Sequence, residues 1–390
     1  MEQEYDVIVV GGGTAGVVAA VQAARAGART LVLEMTGQLG GTMTSGGVSA
    51  PAYFWSPDRQ VIAGIGWELL LRCQALGGAE VPDFTGPGPY GPSCHLAVNP
   101  YLWALLSEEL CREAGVELRY HTCPVSITAP DEDHWQVETY GKGERESFVC
   151  RELIDCTGDA NVVDLLGLER LRDEVRQPGT LEFRLSPIEV ERLEGEAVQH
   201  AYEAARTEGR LQQGDWAYGG DFMDFLRARG FNAQHVIGAD TSTASSMTAA
   251  NLDGRERLLR ALRFVRSLPG CEEVTVEYMA DHTTARDTWR IVGETIITYE
   301  DYISGRVFPD AVAYSLYSID VHLDEGTRWE RLAEGVVPTI PMGALIPKGA
   351  RRVLAAGRII SSDKLAHSAL RVEASCMAMG QAVGAAAALG

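Results

Sequence analysis

The chain has 390 residues, of which 46% are hydrophobic and 23% charged. At roughly 150 residues per domain this length predicts two or three domains with ample core, and the composition excludes disordered, collagenous and coiled-coil chains. With 34 Lys and Arg against 54 Asp and Glu, the net charge is −20. That balance repels phosphate backbones and anionic headgroups, so neither nucleic acid nor a membrane surface is expected as a partner. The acidic start Met1-Glu2-Gln3-Glu4 is unlike a secretory signal, and no apolar run is long enough to span a bilayer. Eight scattered Cys form neither a Cys-x-x-Cys pair nor a zinc pattern. The expectations are a cytoplasmic location, no metal and a small-molecule partner, with homo-oligomerisation and the electron acceptor left open.

Asp6 to Val10 is a short β-branched run of the kind buried in parallel sheets. Gly11-Gly12-Gly13-Thr14-Ala15-Gly16 follows, then an Ala-rich helix from Thr14 to about Ala26 stopped by Gly27, and a second strand from Thr30 to Leu33 closed by Glu34. This is a βαβ unit with Gly-x-Gly-x-x-Gly at its first turn. Gly11 permits the tight turn, Gly13 lets backbone approach a pyrophosphate, and Gly16 lets helix and strand pack closely. Glu34 is placed to accept hydrogen bonds from ribose hydroxyls and would repel a 2′-phosphate. The same pattern recurs at Gly86-Pro87-Gly88-Pro89-Tyr90-Gly91, but there no strand precedes it and its prolines forbid a helix start, so it reads as a loop. The motif alone does not separate NAD from FAD.

Pro100 to Ala114 is an expected helix, with a strand at Glu117 to Tyr120. Trp135 to Thr139 and Ser147 to Val149 alternate like a small meander. Leu153 to Cys156 is a buried strand opening into the turn Thr157-Gly158-Asp159, where Cys156 suits a small core position. From about Leu165 the pattern changes. A strand at Thr180 to Leu185, helices at Ile188 to Gly209 and Arg255 to Arg266, and strands at Glu273 to Met279, Arg290 to Ile297 and Ala311 to His322 suggest an α+β unit. The five arginines of Arg255 to Arg266 are assigned to a solvated face. Arg352 to Arg358 is a strand ending around Gly357, and Val372 to Leu389 is a helix apolar nearly all round, hence buried.

A second glycine loop, Gly40-Gly41-Thr42-Met43-Thr44-Ser45-Gly46-Gly47, lies just past the second strand. With it, the chain resembles the glutathione-reductase-like FAD flavoproteins, and more closely the FAD-dependent oxidoreductases among their fumarate-reductase-like and thiazole-synthase-like relatives. The resemblance is strong at 5–47 and 345–390 and weaker between. It implies an α/β fold: a discontinuous, Rossmann-like FAD-binding domain at 1–164 and 336–390, and an α+β substrate or cap domain at 165–335. It also implies FAD on Gly11, Gly13, Thr14, Ala15, Gly16, Glu34, Gly40, Gly41 and Thr42, with Val125 near the adenine. Thr157, Gly158, Gly357, Arg358, Arg371 and Val372 would lie beside the flavin. The last helix would point its positive end at the ring's N1–C2 edge, with Arg371 at its start.

For the chemistry, Arg286 and Arg290 are candidates to clamp a carboxylate, sharing a face whether helical or extended, or else to join a structural ion-pair network. His367 is the general-base candidate. Cys94, His95, His367 and Cys376 are the residues to consider if the flavin is covalently held. The resembled family commonly has Pro-Tyr-Arg and Thr-His-Glu segments where this chain has Ile340-Pro341-Met342-Gly343-Ala344 and Asp363-Lys364-Leu365, so substrate identity does not carry over. The expected activity is hydride transfer from a small organic substrate to flavin N5. The alternatives are an NAD-holding thiazole-synthase-like transferase, a flavin monooxygenase and a non-redox binder.

Overall fold

A computed structural model describes residues 3–56, 59–82 and 96–390. The chain opens with β1 (Gln3–Val10), α1 (Thr14–Arg25) and β2 (Thr30–Leu33). β1 turns polar residues outward only at its start, and its Val-Ile-Val-Val end is buried on both faces, as a central parallel strand requires. α1 carries Ala and Val on its buried side and no acid in its first turn; Gly27, at φ +100, ends it.

α2 (Ile65–Ala75) and α3 (Pro100–Glu113) come next. Asn99 caps α3 by accepting from the Tyr101 and Leu102 amides, with Pro100 in the first turn. Then follow β3 (Glu117–Arg119), β4 (Cys123–Thr128), β5 (Trp135–Gly141) and β6 (Glu144–Asp155). The expected strands at 147–149 and 153–155 are one continuous strand, with different partners for its two halves. Its start pairs antiparallel with β5, and its end runs parallel beside β1 along the register Val10 to Asp155.

α4 (Asn161–Leu165) and β7 (Arg170–Leu171) lead to a second unit: β8 (Phe183–Ser186), α5 (Gly195–Thr207), α6 (Phe222–Ala228), β9 (Gly230–Phe231), α7 (Ala244–Arg266) and β10 (Thr275–Met279). The order β10-β8-β9 forms a small antiparallel sheet. Its apolar core, including Phe183, Tyr202, Phe222, Phe225 and Phe264, draws only on residues 181–280. Several arginines of α7 are ion-paired rather than free: Arg257 meets Asp253, and Arg260 meets Asp215 and Glu256.

The return passes through β11 (Arg290–Ile291), α8 (Tyr299–Ile303), β12 (Ala311–Tyr314), β13 (Ile319–His322), β14 (Thr327–Glu330) and β15 (Thr339–Pro341). Ile297, Tyr302, Phe308, Tyr317, Ile319 and Ile340 share their core with α1 and the first layer, not with residues 181–280. Finally β16 (Val353–Ala355) pairs parallel with the end of β6, and α9 (Lys364–Leu370) precedes α10 (Glu373–Leu389).

The result is an α/β architecture with parallel order β3-β2-β1-β6 and β16 beside β6. β1, β2, β6 and β16 all end at one edge, because Val10, Leu33, Asp155 and Ala355 are in register across it. α10 lies against α1. A Cβ on Gly380 would fall 2.2 Å from the Ala15 carbonyl oxygen, and one on Gly384 would fall 2.3 Å from that of Ala19. Glycine four apart therefore sets how closely these two helices approach. Among the described residues no single helix is long and apolar enough to cross a membrane.

Candidate active site

A cavity of about 900 Å³ opens where the parallel strands end, and the residue after each of the four strands, Gly11, Glu34, Cys156 and Ala356, is on its wall. Open α/β sheets bind ligands at this edge. Gly11 has φ +98, and a Cβ there would stand 2.4 Å from the Cys156 carbonyl oxygen. A Cβ on Gly16 would lie 1.8 Å from the Gly11 oxygen. These two glycines are required by the fold itself. Gly13 differs. A Cβ there meets only Gly41 Cα, at 3.8 Å, so a side chain would stand in the cavity. The second glycine loop is laid on the first, with Gly13 bridged to Gly40 and a Gly41 Cβ site 2.9 Å from Gly13 Cα. Thr14, Ala15, Gly41 and Thr42 are also on the wall.

Glu34 accepts from the Gly12 amide and from the Thr36 amide, both at 2.7 Å. Its carboxylate is thus fixed at the end of β2. Val125 is exposed and off the wall, whereas Thr122, Cys123 and Pro124 line it. The β4–β5 register breaks between Pro124 and Ser126, leaving Val125 without a strand partner.

The exit of β6 is pinned by Asp155, fully buried. It accepts from the Thr157 amide and hydroxyl and from the Val162 and Val163 amides. Burial raises its pKa, against the pull of these donors. Thr157, Gly158, Gly357 and Arg358 are on the wall. Arg358 joins three segments, donating to the Gly158 carbonyl at 2.6 Å, the Ala285 carbonyl at 2.9 Å and Asp159 Oδ1 at 2.9 Å. α9 and α10 meet at 88°, and Arg371, Val372, Glu373 and Cys376 around the start of α10 face the cavity. Burial pushes the Glu373 carboxyl up to about 7.

The catalytic candidates separate. Arg286 and Arg371 are on the wall; His367 and Arg290 are not. Residues 280–289 form neither helix nor extended strand, so the four-residue spacing puts Arg286 and Arg290 on no common face. Arg290 is buried and paired with Asp173 at 2.9 Å. His367 is on the inner side of α9, with Nε2 2.6 Å from the Arg358 carbonyl oxygen, and burial drives its pKa well down. It is therefore a neutral imidazole behind the wall, out of reach as a general base. Cys156 and Cys376 are among the residues of the wall, and burial pushes both thiols upward, so they stay protonated. Cys94, His95 and the Gly86–Gly91 loop lie outside the described residues.

The far lobe of the cavity holds groups that motif reading missed. β13 presents Asp320 and His322 two residues apart, hence on one face. His322 Nε2 is 3.2 Å from Asp320 Oδ2, and His322 Nδ1 is 2.9 Å from His235 Nε2. Burial lowers His322 to about 4 and His235 to about 3, while His322 and Arg371 hold Asp320 below its usual range against its own burial. Asp320 is therefore ionised, and both imidazoles are neutral at neutral pH. An ionised Asp320 makes His322 Nε2 the donor, which leaves Nδ1 to accept from His235. Trp216, Tyr218, Tyr317 and Trp329 complete the lobe. The alternation in Ile319-Asp320-Val321-His322 was the one available signal.

A family model described as FAD dependent oxidoreductase matches residues 6–390. No curated protein matches the chain. Among solved structures, the anhydrotetracycline hydroxylase OxyS from Streptomyces rimosus is 24% identical over 48% of this chain and 39% of its own, with a TM-score of 0.32. Glycine oxidase from Geobacillus kaustophilus is 16% identical over 48% of this chain and 64% of its own, at 0.33. A geranylgeranyl bacteriochlorophyll reductase-like protein from Thermoplasma acidophilum is 12% identical over 100% of this chain and 78% of its own, at 0.45. The chain thus spans less than two thirds of the first two proteins. The cofactor is FAD, and the NAD-holding alternative falls away. The cavity suits it on its own evidence: bare backbone at Gly13, where a side chain would intrude, and a fixed carboxylate at Glu34.

Proposed function

The chain belongs to the FAD dependent oxidoreductase family, and on that footing we propose that it is a dehydrogenase or oxidase taking hydride from a small organic substrate held in the far lobe. FAD, when bound, supplies the two-electron acceptor. One observation carries the reading. A single cavity runs from Glu34 at the sheet edge, past the start of α10, to Arg286, Asp320 and His322.

In this reading Gly11, Gly13, Thr14 and Ala15 hold the diphosphate against the N-terminus of α1, which Gly16, off the wall, lets pack close to the Gly11 turn. Glu34 holds the ribose, and Thr122 to Pro124 take the adenine side. Gly40 to Thr42, Thr157, Gly158, Gly357, Arg358 and Val372 flank the ring. The α10 N-terminus and Arg371 favour negative charge developing there. Asp320, its Oδ2 held by His322 and its Oδ1 without a partner, is the proton-accepting group in place of His367.

The test is anaerobic addition of candidate organic reductants to the yellow holoenzyme. Bleaching without oxygen or nicotinamide is the expected result. A protein that bleaches only with NADPH, and then inserts oxygen into its substrate, would be a monooxygenase and would overturn the proposal.

A further inference from the structure

Arg286 is buried, yet among the described residues no carboxylate forms an ion pair with it. Its hydrogen bonds run from Nη1 to the Pro178 carbonyl at 2.6 Å and from Nη2 to Asn232 Oδ1 at 3.2 Å, leaving Nε unengaged. Burial, then the nearby Arg371, push it down to about 10, so it is still cationic at neutral pH. Arg371 itself is loosely held. Its Nη2 is 3.4 Å from the Asp320 carbonyl and 3.7 Å from Asp320 Oδ2, and its buried Nε has no partner. Two guanidiniums thus line one lobe, and of the two carboxylates that act on Arg286, Asp320 and Asp287, the second is turned to the Gln177 amide and side chain rather than to the guanidinium. Neither guanidinium is hydrogen-bonded to a carboxylate side chain, and the other neighbouring charges supply none. Arg358 and Asp159 neutralise each other, and Glu373, lifted to about 7, is only partly ionised at neutral pH. A buried charge without a partner is costly, and a bound anion is the simplest relief. Around the arginines stand Trp216, Tyr218, Tyr317 and Trp329, which give a flat apolar body surface to cover.

We propose that this lobe is a receptor for an organic carboxylate with an aromatic or similarly flat apolar body, its carboxylate bound between Arg286 and Arg371. The inference rests on the reading of the lobe as the substrate site and names the class of substrate. It requires an acid small enough for the space beyond the cofactor, with the carboxylate held at the two arginines and the oxidisable carbon turned toward the cofactor.

Calorimetric titration of the holoenzyme with phenylacetate, phenylacetamide and acetate tests it. Phenylacetate is expected to bind at least tenfold more tightly than either of the others, the amide lacking the charge and acetate the ring. Arg286→Met and Arg371→Met, made separately, should each weaken phenylacetate by about 10- to 100-fold, the range for losing charge-assisted hydrogen bonds, with the flavin spectrum retained in Arg286→Met. Should Arg286→Met fail to fold, Arg371→Met and the salt dependence of wild-type binding carry the same test. Equal binding of acid and amide, absence of phenylacetate binding, or unchanged affinity in a folded variant overturns the inference. An acid that binds at the arginines without any acid bleaching the flavin leaves the receptor standing and counts against the dehydrogenase or oxidase reading. Bleaching by uncharged compounds alone does the reverse.

Discussion

The two ends of the cavity are built from different material. At the sheet edge the wall includes the bare backbone of Gly11, Gly13 and Gly41, with Glu34 fixed by two amides. At the cap side it is side chains, with Trp216, Arg286, Asp320, His322 and Arg371 arriving from separate stretches of chain. The first end fixes a shape: an atom added at Gly11 strikes the Cys156 carbonyl, and one added at Gly13 takes up space in the cavity. The second fixes a charge and a hydrogen-bond chain, and those change with a single substitution while the frame stands. Cofactor binding is therefore expected to be rigid, and substrate choice changeable.

The largest effects should come from the backbone end, and they should divide between neighbours. Gly11→Ala puts a Cβ into the Cys156 carbonyl at positive φ and should cost about 3 kcal/mol or more, seen as a large loss of Tm or of soluble protein. Gly13→Val faces open space and should leave the Tm of the FAD-free protein nearly unchanged, while FAD affinity drops by about 100-fold or more. Equal damage to stability by both would break the distinction between frame and cradle.

At the cap end, Arg286→Met should keep FAD bound and lower kcat/KM for the substrate by about 100-fold, equivalent to roughly 2–3 kcal/mol. Loss of the flavin in that variant would mean that the two ends are not separable.

A smaller, pH-dependent effect should come from Glu182, which lies behind the lobe. Burial lifts it to about 8, and its Oε2 has no partner. In the folded chain it stays protonated as pH rises, whereas in the unfolded chain it ionises near its ordinary value. Wild-type stability should therefore decline from about pH 4.5 to about pH 8 through this group and level off above. Glu182→Gln should raise the Tm more at pH 8 than at pH 5, by about 2 kcal/mol of stability at the higher pH. A gain that is the same at both pH values would show that the carboxyl is not held neutral.

The smallest effect on turnover is expected at His367. His367→Gln should lower stability by about 1–2 kcal/mol through the lost contact with the Arg358 carbonyl, yet leave the pH profile of kcat/KM in place. A profile that loses a limb would restore the histidine as the base.

What could be read from the residues follows the same division. The glycine turn and Glu34 sit within one short βαβ unit, where spacing along the chain is spacing in space, so both were visible before any coordinates. The 12-residue β6 was read as two strands because its pairing changes from antiparallel to parallel midway, which no local pattern encodes. His367 was placed near the ring by its distance from Gly357, but the turn of α9 faces it inward. Arg290 was paired with Arg286 by count, but an irregular segment does not preserve faces. The Asp320–His322–His235 chain joins residues on different elements, so sequence shows at most its first two members, as alternation on a strand.

Gly380 and Gly384 let the last helix touch the first, and that contact has a temporal side. α1 (Thr14–Arg25) leaves the ribosome well before its partner α10 (Glu373–Leu389), with most of the other elements between them. Throughout synthesis the flank of α1 that α10 will cover has no native cover, and the cofactor cradle lacks the wall formed by Arg371 to Cys376. Contacts this distant along the chain form slowly. FAD can thus be captured in its final setting only once α10 has been made, which ties cofactor loading to the synthesis of that helix. A ribosome-stalled chain ending before β16 should not retain FAD.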